Sequence, residues 1–111
     1  MTLYDPQNEV NIWAQQFHTP YWPPLEQLGR LIEEVGEVAR ELNHKYGSKK
    51  RKDSESQGNL GQELSDVIFT ICCIANREGI NLQAEWDKMM KEKHYGRDKD
   101  RFEKRTDDSK V

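Results

Sequence analysis

Apolar residues recur at three- and four-residue steps along most of the chain, which is the period of amphipathic helices. The clearest stretch runs from Leu31 to Leu42. With Leu28 ahead of it, Leu31, Ile32, Val35, Val38, Ala39 and Leu42 share one arc of roughly 120°. Pro24 suits a helix start and Gly47 a helix stop, so the pattern predicts a helix from Pro24 to about Tyr46. Gly36 inside it costs roughly 1 kcal/mol against alanine and would let a backbone or ligand come close. Upstream, Val10, Trp13, Ala14 and Phe17 predict a first helix. Asp5-Pro6 would open it, and it would end near His18, before Pro20, Pro23 and Pro24. Downstream, Asn59 with Gln62 reads as a capping box for a third helix reaching about Glu78, where Gly79 stops it. From Val67 to Ala75 that helix is apolar nearly all round, which predicts burial on all sides, in a bundle centre or a subunit interface. Asn81 would cap a fourth helix carrying Leu82, Ala84, Trp86, Met89 and Met90. Residues 47–58 read as a polar loop with the basic run Lys49 to Lys52, a solvated turn or a mobile flap over phosphates. The expected fold is therefore all-α, a bundle of about four helices in one domain over 1–104, with a disordered tail at 105–111.

Composition changes this picture in one respect. Only 34% of the 111 residues are hydrophobic and 33% are charged, a thin apolar supply for a lone globule. Part of the core is thus expected to form between subunits. The net charge of −3 argues against a general nucleic-acid binder. No apolar run reaches membrane-spanning length and no secretory signal is visible, so the expected location is the cytoplasm. Cys72 and Cys73 are helix neighbours whose side chains diverge by about 100°. They are expected to be buried thiols rather than a disulfide.

The acids carry the chemistry. Glu34, Glu37 and Glu41 fall together in an arc of about 60° beside the apolar arc, and Glu33/Glu37 and Glu37/Glu41 are like-charge pairs one turn apart. Arg30 can reach Glu34 and Lys45 can reach Glu41, which leaves the rest of the repulsion for a cation to relieve. On the third helix Glu63 and Asp66 repeat the three-residue spacing. Glu63 lies within the apolar arc, a costly place for a carboxylate unless it is paired or holds a metal. Two antiparallel helices offering such pairs can build one all-oxygen cage, the donor set of hard cations such as Mg²⁺. Near the first helix, Phe17-His18-Thr19-Pro20-Tyr21-Trp22 concentrates aromatics. Trp13, Phe17 and Trp22 read either as packing anchors or as a wall on which a base stacks.

The order E-E-x-x-E then E-x-x-D, here Glu33-Glu34-Val35-Gly36-Glu37 and Glu63-Leu64-Ser65-Asp66, resembles the MazG-type, all-α nucleoside triphosphate pyrophosphohydrolases over roughly residues 9 to 102. Phe17-His18 before the first motif and the basic run Lys91 to Arg101 after the last helix are similar too. The resemblance implies attack of water on a nucleoside triphosphate, releasing the monophosphate and pyrophosphate. It implies that Glu34, Glu37, Glu63 and Asp66 ligate Mg²⁺, with Mn²⁺ able to substitute. Glu33 would orient the water as a base or ligate a further ion. His18 would sit near the base or phosphates, and Lys93 and Arg97, among Lys91 to Arg101, would contact phosphates. It also implies sites completed across a subunit interface, in a homodimer or homotetramer. The same bundle serves phosphoribosyl-ATP pyrophosphohydrolysis, which the motif does not separate. A ferritin-like di-metal centre would need repeated Glu-x-x-His pairs, and only Glu41 with His44 has that spacing. A non-catalytic helical interaction module is the remaining alternative.

Overall fold

The structure, a computed structural model, describes residues 1–48 and 58–106. Four α-helices follow one another: α1 (Tyr4–Ala14), α2 (Pro24–Tyr46), α3 (Leu60–Glu78) and α4 (Leu82–Met89). α4 continues without a break into a π-helix, Met90–Arg97. No strand occurs among the described residues, so the all-α expectation holds. The run Lys49 to Lys52 and residues 107–111 of the expected tail lie outside the described residues. No helix is long and apolar enough to cross a membrane, among the described residues.

Local chemistry sets most of the boundaries. Asn59 Oδ1 accepts the Gln62 N–H at 3.0 Å and Asn81 Oδ1 accepts the Ala84 N–H at 3.0 Å, capping α3 and α4. Gly79 takes the left-handed conformation (φ 69°), and the Ile80 N–H returns to the Ala75 carbonyl at 2.8 Å. The first helix departs from expectation. It begins at Tyr4, with Asp5 accepting the Thr2 N–H from inside the first turn, and it stops at Ala14 rather than near His18. Two causes act at its end. The Gln16 and Phe17 N–H groups close on carbonyls three residues back, and the Tyr21 hydroxyl donates to Asn11 Oδ1 at 2.6 Å, folding the segment after the turn back onto α1. The π-helix was likewise not expected. It has a local cause in Gly96, where a β-carbon would stand 2.8 Å from the Lys91 carbonyl, and the Asp98 N–H bonds the Lys93 carbonyl five residues back.

α3 is the axis of the fold. It packs against α2 on one side and α1 on another, and α4 leans on α1. The core is small: Val10, Ala14, Cys72, Cys73 and Ala75 are the buried hydrophobics, with Tyr21 and Leu82 packed against Val10 and the two cysteines. Both cysteines are free and buried, as expected, and burial pushes both thiols up from their ordinary pKa.

Two apolar surfaces stay open within one chain. α3 is not enclosed on all sides within one chain, because Ile68, Phe69 and Ile71 remain exposed. The apolar arc of α2 does not face the core either. Leu28, Ile32, Val35 and Leu42 are exposed, and the buried residues of α2 are Gln27 and Glu34. The helix carries two stripes. One, of Gln27, Leu31, Glu34, Val38 and Glu41, is covered or partly covered; the other, of Leu25, Leu28, Ile32, Val35, Ala39, Leu42 and Tyr46, faces solvent. Gly36 has nothing within 4 Å of where a β-carbon would stand, so no close approach within the chain explains it.

Candidate metal centre

The rotation of α2 sets the site. By turning its mixed stripe toward α3, it brings Glu34 beside Glu63 and Asp66, which the i,i+3 spacing places on one side of α3. One carboxylate oxygen from each of the three residues lies within 4.8 Å of the others. Glu34 is 5% exposed, Glu63 is partly buried and Asp66 is open to solvent. A buried carboxylate needs a partner, and Arg30 supplies one: its Nη2 stands 2.7 Å from Glu34 Oε1, while its Nη1 reaches Glu33 Oε2 at 3.5 Å. Among the described residues Glu63 has no such cation. Burial, then Asp66, Glu37, Glu34 and Glu41 in turn, all push its pKa up, as expected at the focus of several negative groups.

The remaining expected ligands are placed differently. Glu37 is close enough to raise Glu63's pKa but is not one of the three clustered carboxylates; it is half exposed, with Arg40 Nη1 3.7 Å from its Oε2. Glu33 is exposed on the solvent side, against Arg30. Lys45, the expected partner of Glu41, has its Nζ over the Tyr46 ring, 5.3 Å from the centroid. The donor set of Glu34, Glu63 and Asp66 is all oxygen, anionic and convergent from two helices. It fits a hard divalent cation and offers nothing to a soft one.

A cavity of about 560 Å³ opens beside the acids, with Glu34 and Asp66 in its wall. Aromatic rings line it as well: Trp13, Phe17, Trp22 and Phe69. Trp13 meets Phe17 edge-on at 4.9 Å between centroids and Phe69 at 5.6 Å. Trp13, Phe17 and Trp22 are each about half exposed, so they are not sealed core anchors within one chain. His18 is exposed in the turn after α1 and lines no part of this cavity, although its neighbours Phe17 and Thr19 do. Lys93 and Arg97 stand on the π-helix that continues α4, and neither lines the cavity. Arg97 is engaged elsewhere: its Nε and Nη2 grip the Asp98 carboxylate at 3.0 and 3.2 Å and hold that carboxyl below its ordinary pKa. A larger groove of about 890 Å³, between α1, α3 and α4, is lined chiefly by apolar residues and lies away from the clustered carboxylates.

Sequence reasoning passed over Gln27, Thr19 and Phe69 in the cavity wall. Gln27 did carry a signal, since it stands seven residues before Glu34 and therefore on the same stripe of α2.

Known proteins resemble this chain in sequence and in fold. The MazG nucleotide pyrophosphohydrolase domain matches residues 24–102. The chain is 43% identical over 101 residues to YpjD of Bacillus subtilis (strain 168), itself uncharacterised, covering 91% of this chain and 90% of that one. The crystal structure of Bacillus subtilis YpjD is similar with a TM-score of 0.74 at 40% identity, over 84% of this chain and 95% of that one. The crystal structure of a Bacillus-conserved MazG protein, described as a nucleotide pyrophosphohydrolase, is similar with a TM-score of 0.69 at 35% identity, over 97% and 96% of the two chains. With its two acid-bearing helices inside the matched region, this chain belongs to the MazG nucleotide pyrophosphohydrolase family and is a hydrolase.

Proposed function

We propose that the chain hydrolyses nucleoside triphosphates to the monophosphate and pyrophosphate in a Mg²⁺-dependent reaction, and that it clears non-standard nucleotides in the cytoplasm. The observation that carries this reading is the meeting of Glu34, Glu63 and Asp66 within 4.8 Å at the edge of an aromatic-lined cavity. An acid cage beside an aromatic slot suits a molecule with a polyphosphate at one end and a flat base at the other. Glu34, Glu63 and Asp66 hold Mg²⁺, with Mn²⁺ able to replace it, and Glu37 joins them once the charge between the helices is neutralised. A bound Mg²⁺ would offset phosphate charge and lower the pKa of a coordinated water. Trp13, Phe17 and Trp22 take the face of the base. Arg30 fixes Glu34 and Glu33 relative to each other, and Glu33, on the solvent side, orients the attacking water or a further ion. His18, Lys93 and Arg97 serve as substrate contacts from outside the cavity wall. For Arg97 this requires exchange of Asp98 for a phosphate.

The exposed stripe of α2 supports a second copy as its cover. Leu25, Leu28, Ile32, Val35, Ala39, Leu42 and Tyr46 alternate by three and four residues, the spacing of a helix–helix seam, and with the small core this favours a homodimer or homotetramer.

The test is pyrophosphate release from a panel of ribo- and deoxynucleoside triphosphates, modified bases and phosphoribosyl-ATP, each with Mg²⁺ and with EDTA. Mg²⁺-dependent release from a triphosphate is expected. Release that persists in EDTA would remove the metal from the reading, and none from any substrate would overturn the reaction. Phosphoribosyl-ATP as the best substrate would overturn the substrate class.

A further inference from the structure

Gln27 lines the cavity and has no part in the chemistry above. Gln27 is 5% exposed, yet its carboxamide makes no hydrogen bond among the described residues. Only its backbone is engaged, donating to the Pro23 carbonyl at 3.0 Å. Its polar neighbours are occupied: Thr70 Oγ1 donates to the Asp66 carbonyl at 3.0 Å, and Arg30 holds Glu34. The amide is not sealed from solvent, so water in the cavity meets it in the free protein, and a ligand that displaces this water must offer hydrogen bonds of its own. The adjoining residues of the site show what the amide could meet. Gln27 precedes Glu34 by two helical turns, about 10.5 Å along the axis. Gln27 and Glu34 are thus separated along α2 within one cavity wall that also holds Trp13, Phe17, Trp22 and Phe69, as the base of a nucleotide is separated from its phosphates.

We propose that Gln27 is the base-discriminating residue of this site, its carboxamide hydrogen-bonding the polar edge of the nucleobase. The inference rests on the nucleotide reading above. The division of labour is physical. Aromatic faces accept any base, because every base has a π-face, and so they supply affinity without choice. A carboxamide offers an N–H donor and a C=O acceptor side by side, which matches a base edge presenting an acceptor beside a donor. A site built to hydrogen-bond such an edge rejects a ligand that leaves the amide unpaired. The substrate class that follows is a nucleotide whose base keeps an unblocked hydrogen-bonding edge.

The experiment measures kcat/KM of the wild type, Gln27→Leu and Gln27→Glu on nucleoside triphosphates and on the corresponding base-free sugar triphosphate. For Gln27→Leu, the ratio for the best nucleotide over the base-free compound is expected to fall about tenfold or more, with differences between bases flattened. Gln27→Glu keeps only acceptors, so it should shift preference toward base edges that present donors, the N1–H and amino group of guanine and the amino groups of cytosine and adenine, and away from uracil, whose N3–H lies between two carbonyls. A merely structural role for Gln27 would lower all substrates together and leave these ratios in place. Unaltered ratios in both variants, in an enzyme that releases pyrophosphate, overturn the assignment of Gln27 alone. A wild type inactive on every triphosphate overturns both this assignment and the reading beneath it.

Discussion

Gln7 clasps α1 to the rest of the molecule, and its replacement should show how firmly. The residue is buried on α1. Its Nε2 donates to the Ile80 carbonyl at 2.6 Å and its Oε1 accepts the Leu82 N–H at 3.1 Å, so one side chain satisfies both sides of the turn between α3 and α4. Its backbone carbonyl also accepts Asn76 Nδ2 at 3.0 Å. Gln7→Leu keeps nearly the same volume and leaves that last bond alone. It removes two hydrogen bonds at about 1 kcal/mol each and strands a partly hydrated N–H and C=O, which together cost roughly 3–4 kcal/mol. Leucine's extra apolar burial returns about 1 kcal/mol. The net loss of about 2–3 kcal/mol should lower Tm by roughly 10–20 °C in a domain of this size. Gln7→Glu retains the acceptor for Leu82 but opposes a carboxylate to the Ile80 carbonyl. It should therefore melt low at neutral pH and recover as acidification protonates the new side chain and restores a donor. Thermal and urea unfolding of the three proteins between neutral pH and about pH 5 provide the assay. If Gln7→Leu melts within a few degrees of the wild type, or Gln7→Glu shows no recovery on acidification, the clasp contributes nothing net and the argument fails.

Three further outcomes are expected. Glu63 has a folded pKa raised above its ordinary value. It therefore stabilises the fold below the ordinary value, and that contribution disappears as pH rises through the folded value. Glu63→Gln should accordingly raise the metal-free Tm at neutral pH, with an advantage that shrinks toward about pH 4; an advantage independent of pH would count against the acid field. Asp66→Asn should abolish hydrolysis and the Mg²⁺-induced rise in Tm while the fold persists, and Glu37→Gln tests separately whether that carboxylate joins the site. A cation at about a hundred times its Kd adds roughly 2.7 kcal/mol, about ten degrees or more here, so a wild-type Tm unmoved by saturating Mg²⁺ would refute the cage. Ile32→Glu, at a side chain 63% exposed in the single chain, should reduce the sedimenting mass to that of one chain if α2 meets a second copy; a wild type that already sediments as a monomer removes that proposal.

Much of the fold was legible because its boundaries are decided locally. Asn59, Asn81, Gly79 and Pro24 act through bonds and dihedrals within one turn of themselves, and the observed ends of α2 and α3 agree with the expected ones. The acids were legible for the same reason: i,i+3 spacing on a helix fixes which carboxylates share a face, and Glu63 and Asp66 do. What escaped reading turns on closures that no capping or breaking signal marks. α1 ends early where Tyr21 bonds Asn11, and the π-helix follows from Gly96 closing on a carbonyl five residues back. The rotation of α2 about its own axis escaped for a deeper reason. Its apolar arc marks where burial would be most favourable, and within one chain that is not where the burial occurs.

That rotation connects the site to the rest of the molecule. Turning α2 by about 100° would press Leu28, Ile32 and Val35 onto α3 and release Gln27 and Glu34 to water, a more favourable arrangement for an isolated chain on apolar burial alone. The observed rotation does the reverse, turning toward α3 and the cavity an amide with no hydrogen bond among the described residues and a carboxylate held by one half-exposed arginine. Both unfavourable features point inward, toward the cavity and the acids of α3, and both are of the kind that a ligand corrects: a cation for the carboxylates, a base edge for the amide. The apolar stripe left outside is of the kind that another apolar surface corrects. One choice of helix rotation thus leaves two unmet requirements on two faces of α2, about 100° apart. A substitution on the outer stripe and one on the inner stripe should therefore be separable by experiment: the first should change mass before it changes metal response, and the second should change metal response at constant mass. A single substitution on either stripe that altered both to the same degree would mean that α2 is not held in this rotation by its own packing on α3, and that the site is assembled only when the outer surface is covered.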